Sequence, residues 1–165
     1  MPALSTFFFS GFTLRPSTAG DRTLATAWTK ADPEHSTTTP PDFWIEQSDS
    51  TESYLLEDDA GPVFFFKMQR HSRRQIELHI QFPPESKQIT GDLVRKHRVM
   101  RGLTLGLRWI EKALSSRGVC ELLFKSHSES LISFCMKHLD FARDGDRLTK
   151  AIAPDIALEN IEKES

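Results

Sequence analysis

Apolar and polar positions along the chain recur with two periods, near two and near 3.6, and the period changes at turn residues. "GFTLRP" alternates and ends at Pro16, which predicts a strand over 11–16. In "STAGDRTLATAWTKADPEH", Leu24, Ala27, Trp28 and Ala31 sit at helical spacing, so a helix runs to a stop near Pro33. "STTTPPDFWIEQ" predicts a polar loop and then a short helix opened by proline. "SYLLEDDAGPVFFFKMQRH" predicts two strands joined by a turn at Asp58–Pro62. After a second turn around Ser72–Arg74, "RRQIELHIQFPP" predicts a third strand, ended by two prolines. Val99, Leu103, Leu107, Ile110 and Leu114 then fall at steps of four, four, three and four, a long amphipathic helix with Gly118 as its stop signal. "VCELLFKS" reads as a strand, "SESLISFCMKHLDF" as a helix and "DRLTKAI" as a last strand.

The resulting order, β-α-α-β-β-β-α-β-α-β, is an antiparallel meander running into a βαβ crossover. It implies an α/β fold with a mixed, mostly antiparallel sheet flanked by helices on both faces. The domain is expected over residues 11–152, between an N-terminal tail (1–10) and a C-terminal tail or short helix (153–165). Phe64, Phe65 and Phe66 in one strand fit a strand covered on both sides. Ligands in such sheets favour the carboxyl ends of parallel strands, here after Gln81–Pro84 and around Ser126–Glu129. Phe7, Phe8 and Phe9 are costly to leave in water and are expected to dock on the domain or on a second copy, as in a homodimer.

Composition narrows the function classes. The 165 residues carry a formal net charge of −2, without the basic footprint of a general nucleic-acid binder. The basic stretch 95–101 keeps such a role only as a third reading. No apolar run approaches the roughly 20 residues of a membrane span, and the start lacks a basic leader, so a cytoplasmic protein is expected. Cys120 and Cys135 lack metal or redox spacing and the six histidines lack ligand spacing, so no metal site is expected. There is no G-x-S-x-G, Walker A or H-E-x-x-H sequence.

Two stretches carry candidate chemistry. In "QIELHIQF", Ile76, Leu78, Ile80 and Phe82 take one face, and Gln75, Glu77, His79 and Gln81 the other. If helices cover that polar face, its groups must be paired or used; a solvated face would need no explanation. "RGLTLG" (101–106) has two readings. Its glycines could open a helix and bring backbone amides to a phosphate, with Arg95, Lys96, Arg98 and Arg101 beside them. Alternatively the helix begins near Asp92, and Gly102 and Gly106 lie inside it, letting it pack closely on the sheet.

The element order resembles the GNAT superfamily of N-acetyltransferases over about residues 11–152, most strongly over 98–141. The family's loop R-G-x-G-I-G, whose amides hold the pyrophosphate of acetyl-CoA, is matched by Arg101, Gly102, Leu103, Thr104 and Gly106, with Thr104 where a glycine is usual. The alternative register is "KQITGD", with Lys87 as the basic residue. "MKHLDF" matches the family's Y-x-x-x-G-F, with Met136 for the tyrosine and Asp140 for the glycine. The resemblance implies acyl transfer from acetyl-CoA, or a related acyl-CoA, to an unknown amine by direct attack. Arg98 and Arg101 would hold CoA phosphates, and amides at Ile80, Gln81 and Phe82 would polarise the thioester. Glu77, with His79, would take the ammonium proton, directly or through water. The alternative is a GNAT-like binding or regulatory module that has lost acyl transfer.

Overall fold

The alternating segments become the strands β1 (Phe7–Phe9), β2 (Phe12–Pro16), β3 (Thr51–Asp58), β4 (Gly61–Arg70), β5 (Gln75–Gln81), β6 (Glu121–Phe124), β7 (Ala142–Asp144) and β8 (Arg147–Ala151). The helical segments become α1 (Arg22–Ala31), α2 (His35–Thr38), α3 (Ile89–Ser115) and α4 (Glu129–His138). This computed structural model describes residues 6–84 and 89–153. The strands form one sheet in the order β1-β2-β3-β4-β5-β6-β8-β7. The β5–β6 pair is parallel, while β1–β2, β2–β3, β6–β8 and β7–β8 are antiparallel. The fold class is therefore the mixed, mostly antiparallel α/β sheet that the element order implies.

The chain divides into two compact units, Met1–Met68 with His79–Leu105 and Gln69–Leu78 with Gly106–Ser165. In the first, successive residues of β3 point to opposite faces. Leu55 joins Ala25, Trp28, Trp44 and Phe65 in a buried cluster on the α1 side. Leu56 lies under α3 at Gly102. Phe64, Phe65 and Phe66 are all buried, as a doubly covered strand requires. Arg98 of α3 donates to both carboxylate oxygens of Asp58 (2.7 and 2.6 Å) and to the Gly61 carbonyl (3.1 Å), fixing the helix to the β3–β4 turn. Arg15 bonds Asp21, whose carboxylate also caps the Thr18 N–H.

In the second unit α3 ends at Gly118, whose φ of +82° is the left-handed conformation of a helix stop. The Val119 N–H then returns to the Leu114 carbonyl at 3.1 Å. β6 pairs with the first four residues of β5, from Gln75↔Glu121 to Leu78↔Phe124. Lys150 and Glu111 form an ion pair at 2.8 Å with both side chains largely covered.

Three elements depart from the pattern. Phe7–Phe9 enter the sheet as β1, paired antiparallel with β2, where a tail is expected. His35–Thr38 form a helical turn inside the expected polar loop. Ala142–Asp144 add a strand paired to β8. Each is three or four residues long, too short for a period to register, and two of the three are held by a neighbouring strand.

Two predictions follow from these contacts. Phe9 is 7% exposed and stacks on Phe12 at 5.9 Å, while Phe8 on the opposite face is 73% exposed. In chemical denaturation Phe9→Ala will cost about 2–3 kcal/mol and Phe8→Ala less than about 0.5 kcal/mol. The Asp58 and Asp21 carboxyls are held below their ordinary values, chiefly by the hydrogen bonds from Arg98 and Arg15. A depressed folded-state value stabilises the protein above the unfolded aspartate value of about 3.9, and that stabilisation is lost as the pH falls below it. Asp58→Asn will lose about 1 kcal/mol near neutrality and show a shallower acid limb than wild type in urea titrations between neutral pH and about 3.

Candidate active site

The α3 helix resolves the two readings of "RGLTLG". It begins at Ile89, so Arg101 lies twelve residues, about 18 Å, beyond its start. Amides at 102–106 are spent on carbonyls one turn back and cannot face a phosphate. Gly102 is explained by packing: a Cβ there would lie 2.6 Å from Leu56 Cδ2 and 3.3 Å from Phe64 Cε1. Leu103 is buried, and Thr104 donates its hydroxyl to the Met100 carbonyl at 2.8 Å. Arg98 is consumed by Asp58, and Arg101 reaches the Ser10 carbonyl at 3.4 Å. Gly106 lies inside the same helix. The expected cofactor loop, Arg101–Gly106, thus lies within α3, with Gly102 packed on the sheet. The other register, "KQITGD", opens at residues 87 and 88, which lie outside the described residues, and its Lys87 with them; α3 starts directly after.

The polar face of β5 is divided along its length. Near its start, Gln75 donates to Glu121 (2.7 Å), and the Glu77 carboxylate is held by the imidazole of His71. At its end, His79 meets the ring of Phe43 edge-on, with centroids 5.2 Å apart. Gln81 is fully buried. The strand alternation therefore does place Glu77 and His79 on one face, but in different surroundings: an exposed hairpin turn for one, an aromatic wall for the other. Ile80 and Phe82, on the other face, are partly buried.

That wall is built by Phe43 and Trp44 of a 3-10 turn (Pro41–Trp44). The two rings meet edge-to-face at 4.9 Å, and Trp44 lies 5.5 Å from the imidazole of His35. The turn is pinned from beneath by Lys67 of β4, a fully buried lysine. Its Nζ donates to the Phe43 carbonyl (3.0 Å) and to Glu46 (2.9 Å), and lies 3.6 Å from the Phe43 ring centroid. Burial lowers its pKa, and the bond to Glu46 opposes that shift. Ser17 adds a bond to the Trp44 carbonyl at 2.6 Å.

The α1–α2 corner supplies a group that the strand pattern does not reveal. Asp32 follows α1, and its Oδ1 accepts the N–H groups of Glu34 (2.9 Å) and His35 (3.1 Å), starting α2. Its Oδ2 accepts from Gln81 Nε2 at 3.0 Å. His35 Nδ1 lies 2.6 Å from Gln81 Oε1. Burial raises the Asp32 carboxyl, but the bonds from His35, Gln81 and Glu34 outweigh it, so the net shift is downward. The local signal for this corner is "DPEH", an Asp-Pro turn; nothing local points from it to Gln81, 49 residues on.

The end of α4 carries the remaining departures. Met136 is 43% exposed, and burial pushes the neighbouring Cys135 thiol up to about 11. The only tyrosine, Tyr54, is buried in β3 with its hydroxyl on Glu52 at 3.2 Å. Asp140 has a φ of +61°, where the family motif carries glycine. The left-handed backbone disfavours side chains with a Cβ by roughly 1–2 kcal/mol, less for aspartate. Asp140→Gly will therefore raise thermal stability by up to about 1 kcal/mol, read as a higher melting temperature.

No protein-family model and no curated protein matches the sequence. Solved structures do match in fold. Ribosomal-protein-S5-alanine acetyltransferase from Vibrio fischeri aligns with TM-score 0.59 at 12% identity, over 90% of this chain and 97% of that one. Ribosomal-protein-S18-alanine N-acetyltransferase from Escherichia coli aligns with TM-score 0.60 at 15% identity, over 87% and 96%. Spermidine N-acetyltransferase from Vibrio cholerae, solved in complex with CoA and spermine, aligns with TM-score 0.56 at 13% identity, over 87% and 97%. The strand order, the parallel β5–β6 pair and these alignments together show that the chain has the GNAT acyl-CoA N-acyltransferase fold.

Proposed function

We propose that this protein transfers an acyl group from acetyl-CoA, or a related acyl-CoA, to an amine by direct attack. The observation that carries the reading is the end of β5. Pairing with β6 stops at Leu78↔Phe124, and the strand continues to Gln81. Backbone amides over Ile80–Phe82 are the donors proposed to polarise the thioester carbonyl. The phosphates of CoA are assigned to the start of α3 rather than to Arg101–Gly106, because free amides exist only in a helix's first turn. The acceptor amine is placed against Phe43, Trp44 and His79. Glu77, held by His71 at the hairpin end of the strand, is assigned a supporting role. The two cysteines are both free, consistent with work in the reducing cytoplasm.

A second reading, a GNAT-like binding module without acyl transfer, is favoured by one observation. The sole tyrosine is internal and bonded to Glu52, so no tyrosine is placed to protonate the departing thiolate. Against it, a thiol with a pKa of about 8.5 is a tolerable leaving group without an acid.

Calorimetric titration separates the two. Acetyl-CoA and CoA will bind with Kd below about 1 mM, the usual range for enzyme substrates, and Arg98→Lys will bind as wild type does. No heat of binding at millimolar acetyl-CoA would leave the module reading.

A further inference from the structure

We infer that His35 is the group that takes the proton from the acceptor ammonium, with Gln81 and Asp32 as the positioning residues that fix its tautomer. The inference rests on the acyl-transfer reading above.

The hydrogen-bond network assigns every proton at this corner. Gln81 Nε2 bears two hydrogens, and both have acceptors: Asp32 Oδ2 at 3.0 Å and the Phe82 carbonyl at 2.9 Å. Neither acceptor can donate, so the amide nitrogen must face them and Oε1 must face His35. An amide oxygen only accepts, so Nδ1 of His35, 2.6 Å away, carries a hydrogen. A neutral imidazole protonated at Nδ1 has its lone pair on Nε2. No group among the described residues bonds Nε2, and the side chain is 23% exposed. The other imidazole at this wall differs: His79 has its Nε2 buried.

The surroundings suit a proton acceptor for a cation. Asp32 Oδ2 lies 3.4 Å from Nδ1, so a carboxylate faces the imidazolium that forms when Nε2 is protonated. The Trp44 ring lies 5.5 Å from the imidazole, tilted 49° to it. It is itself buried, with an indole N–H that has no acceptor among the described residues, an unmet donor beside the same imidazole. Arg22 pairs with Asp42 and Lys67 with Glu46, so the carboxylate that faces the imidazole is Asp32, and its charge favours a primary ammonium over an anionic acceptor.

The step balances as follows. The ammonium R–NH3+ gives one proton to Nε2 and becomes the neutral amine. Its lone pair forms the C–N bond at the thioester carbonyl carbon, and the C–S bond breaks with its electron pair on sulfur. The nitrogen of the tetrahedral adduct loses a second proton on the way to the amide. One of the two protons ends on the CoA thiolate and the other in solvent. No oxidant or reductant is involved.

The test uses the full chain with acetyl-CoA, and with spermine and tyramine as probe amines. In long-range 1H–15N spectra, neutral His35 will appear as the Nδ1–H tautomer, and Gln81→Met will mix the two tautomers. His35→Asn keeps a donor near the Nδ1 position but has no base. It will bind acetyl-CoA and melt as wild type does, and will lose at least about 100-fold in kcat/KM. His35→Ala will lose as much and recover in part with added imidazole, which a purely structural role would not do. An Nε2–H tautomer in wild type, or His35→Asn within threefold of wild type, overturns the assignment while leaving acyl transfer standing. Wild type that does not bind acetyl-CoA overturns the acyl-transfer reading and the base with it. Where neither amine is turned over, the tautomer alone decides.

Discussion

The close seat of α3 on the sheet at Gly102 is the constraint on which the placement of the candidate chemistry depends. Only a residue without a Cβ lets the helix lie against Leu56, Phe64 and Phe12 at this distance. A helix-interior glycine costs about 1 kcal/mol relative to alanine. Here the cost is offset by buried contacts with three large side chains. Once the helix is seated, Arg98, one turn earlier, meets Asp58 and the Gly61 carbonyl at the β3–β4 turn. Arg98 and Gly102 are thus committed to packing.

The opposite face of the same unit is organised by polar groups in an aromatic setting. Lys67, Gln81, Ser17 and Ser53 are buried there, and each is paired. Their partners are concentrated on the segment from Phe43 to Gln47 and on Asp32 and His35. Gln47 alone donates to the carbonyls of Ser17 (3.2 Å) and Ser53 (2.7 Å) and accepts the Ser53 N–H (3.0 Å). Buried hydrogen bonds of this kind lock the rotamers of the side chains they hold. The orientation of His35 follows from that: its tautomer is dictated by a fully satisfied buried amide, and a buried amide cannot be reversed without leaving two acceptors unmet.

Much of the fold was legible from periodicity. Alternation in Gln75–Phe82 placed Glu77, His79 and Gln81 on one face, and the spacing from Val99 to Leu114 gave the buried stripe of α3. The Asp58–Pro62 turn and the Gly118 stop follow from glycine and proline chemistry. These features are local: a strand or helix exposes its apolar period within a few residues, and a residue with φ above zero must be cheap there. The sequence by itself thus determined the longer strands and helices and which face of each is apolar, but not β1, α2 or β7, which are too short to show a period. It left two readings for "RGLTLG", and it left Phe7–Phe9 without a partner. Whether a glycine faces a phosphate or a leucine, whether Arg98 holds an anion or Asp58, and which nitrogen of His35 bears its hydrogen were decided only by the tertiary structure. Each depends on a partner 40 or more residues away in sequence, Arg98 on Asp58 and His35 on Gln81. No local period encodes a partner at that separation; it is set when strands register and a helix settles onto them.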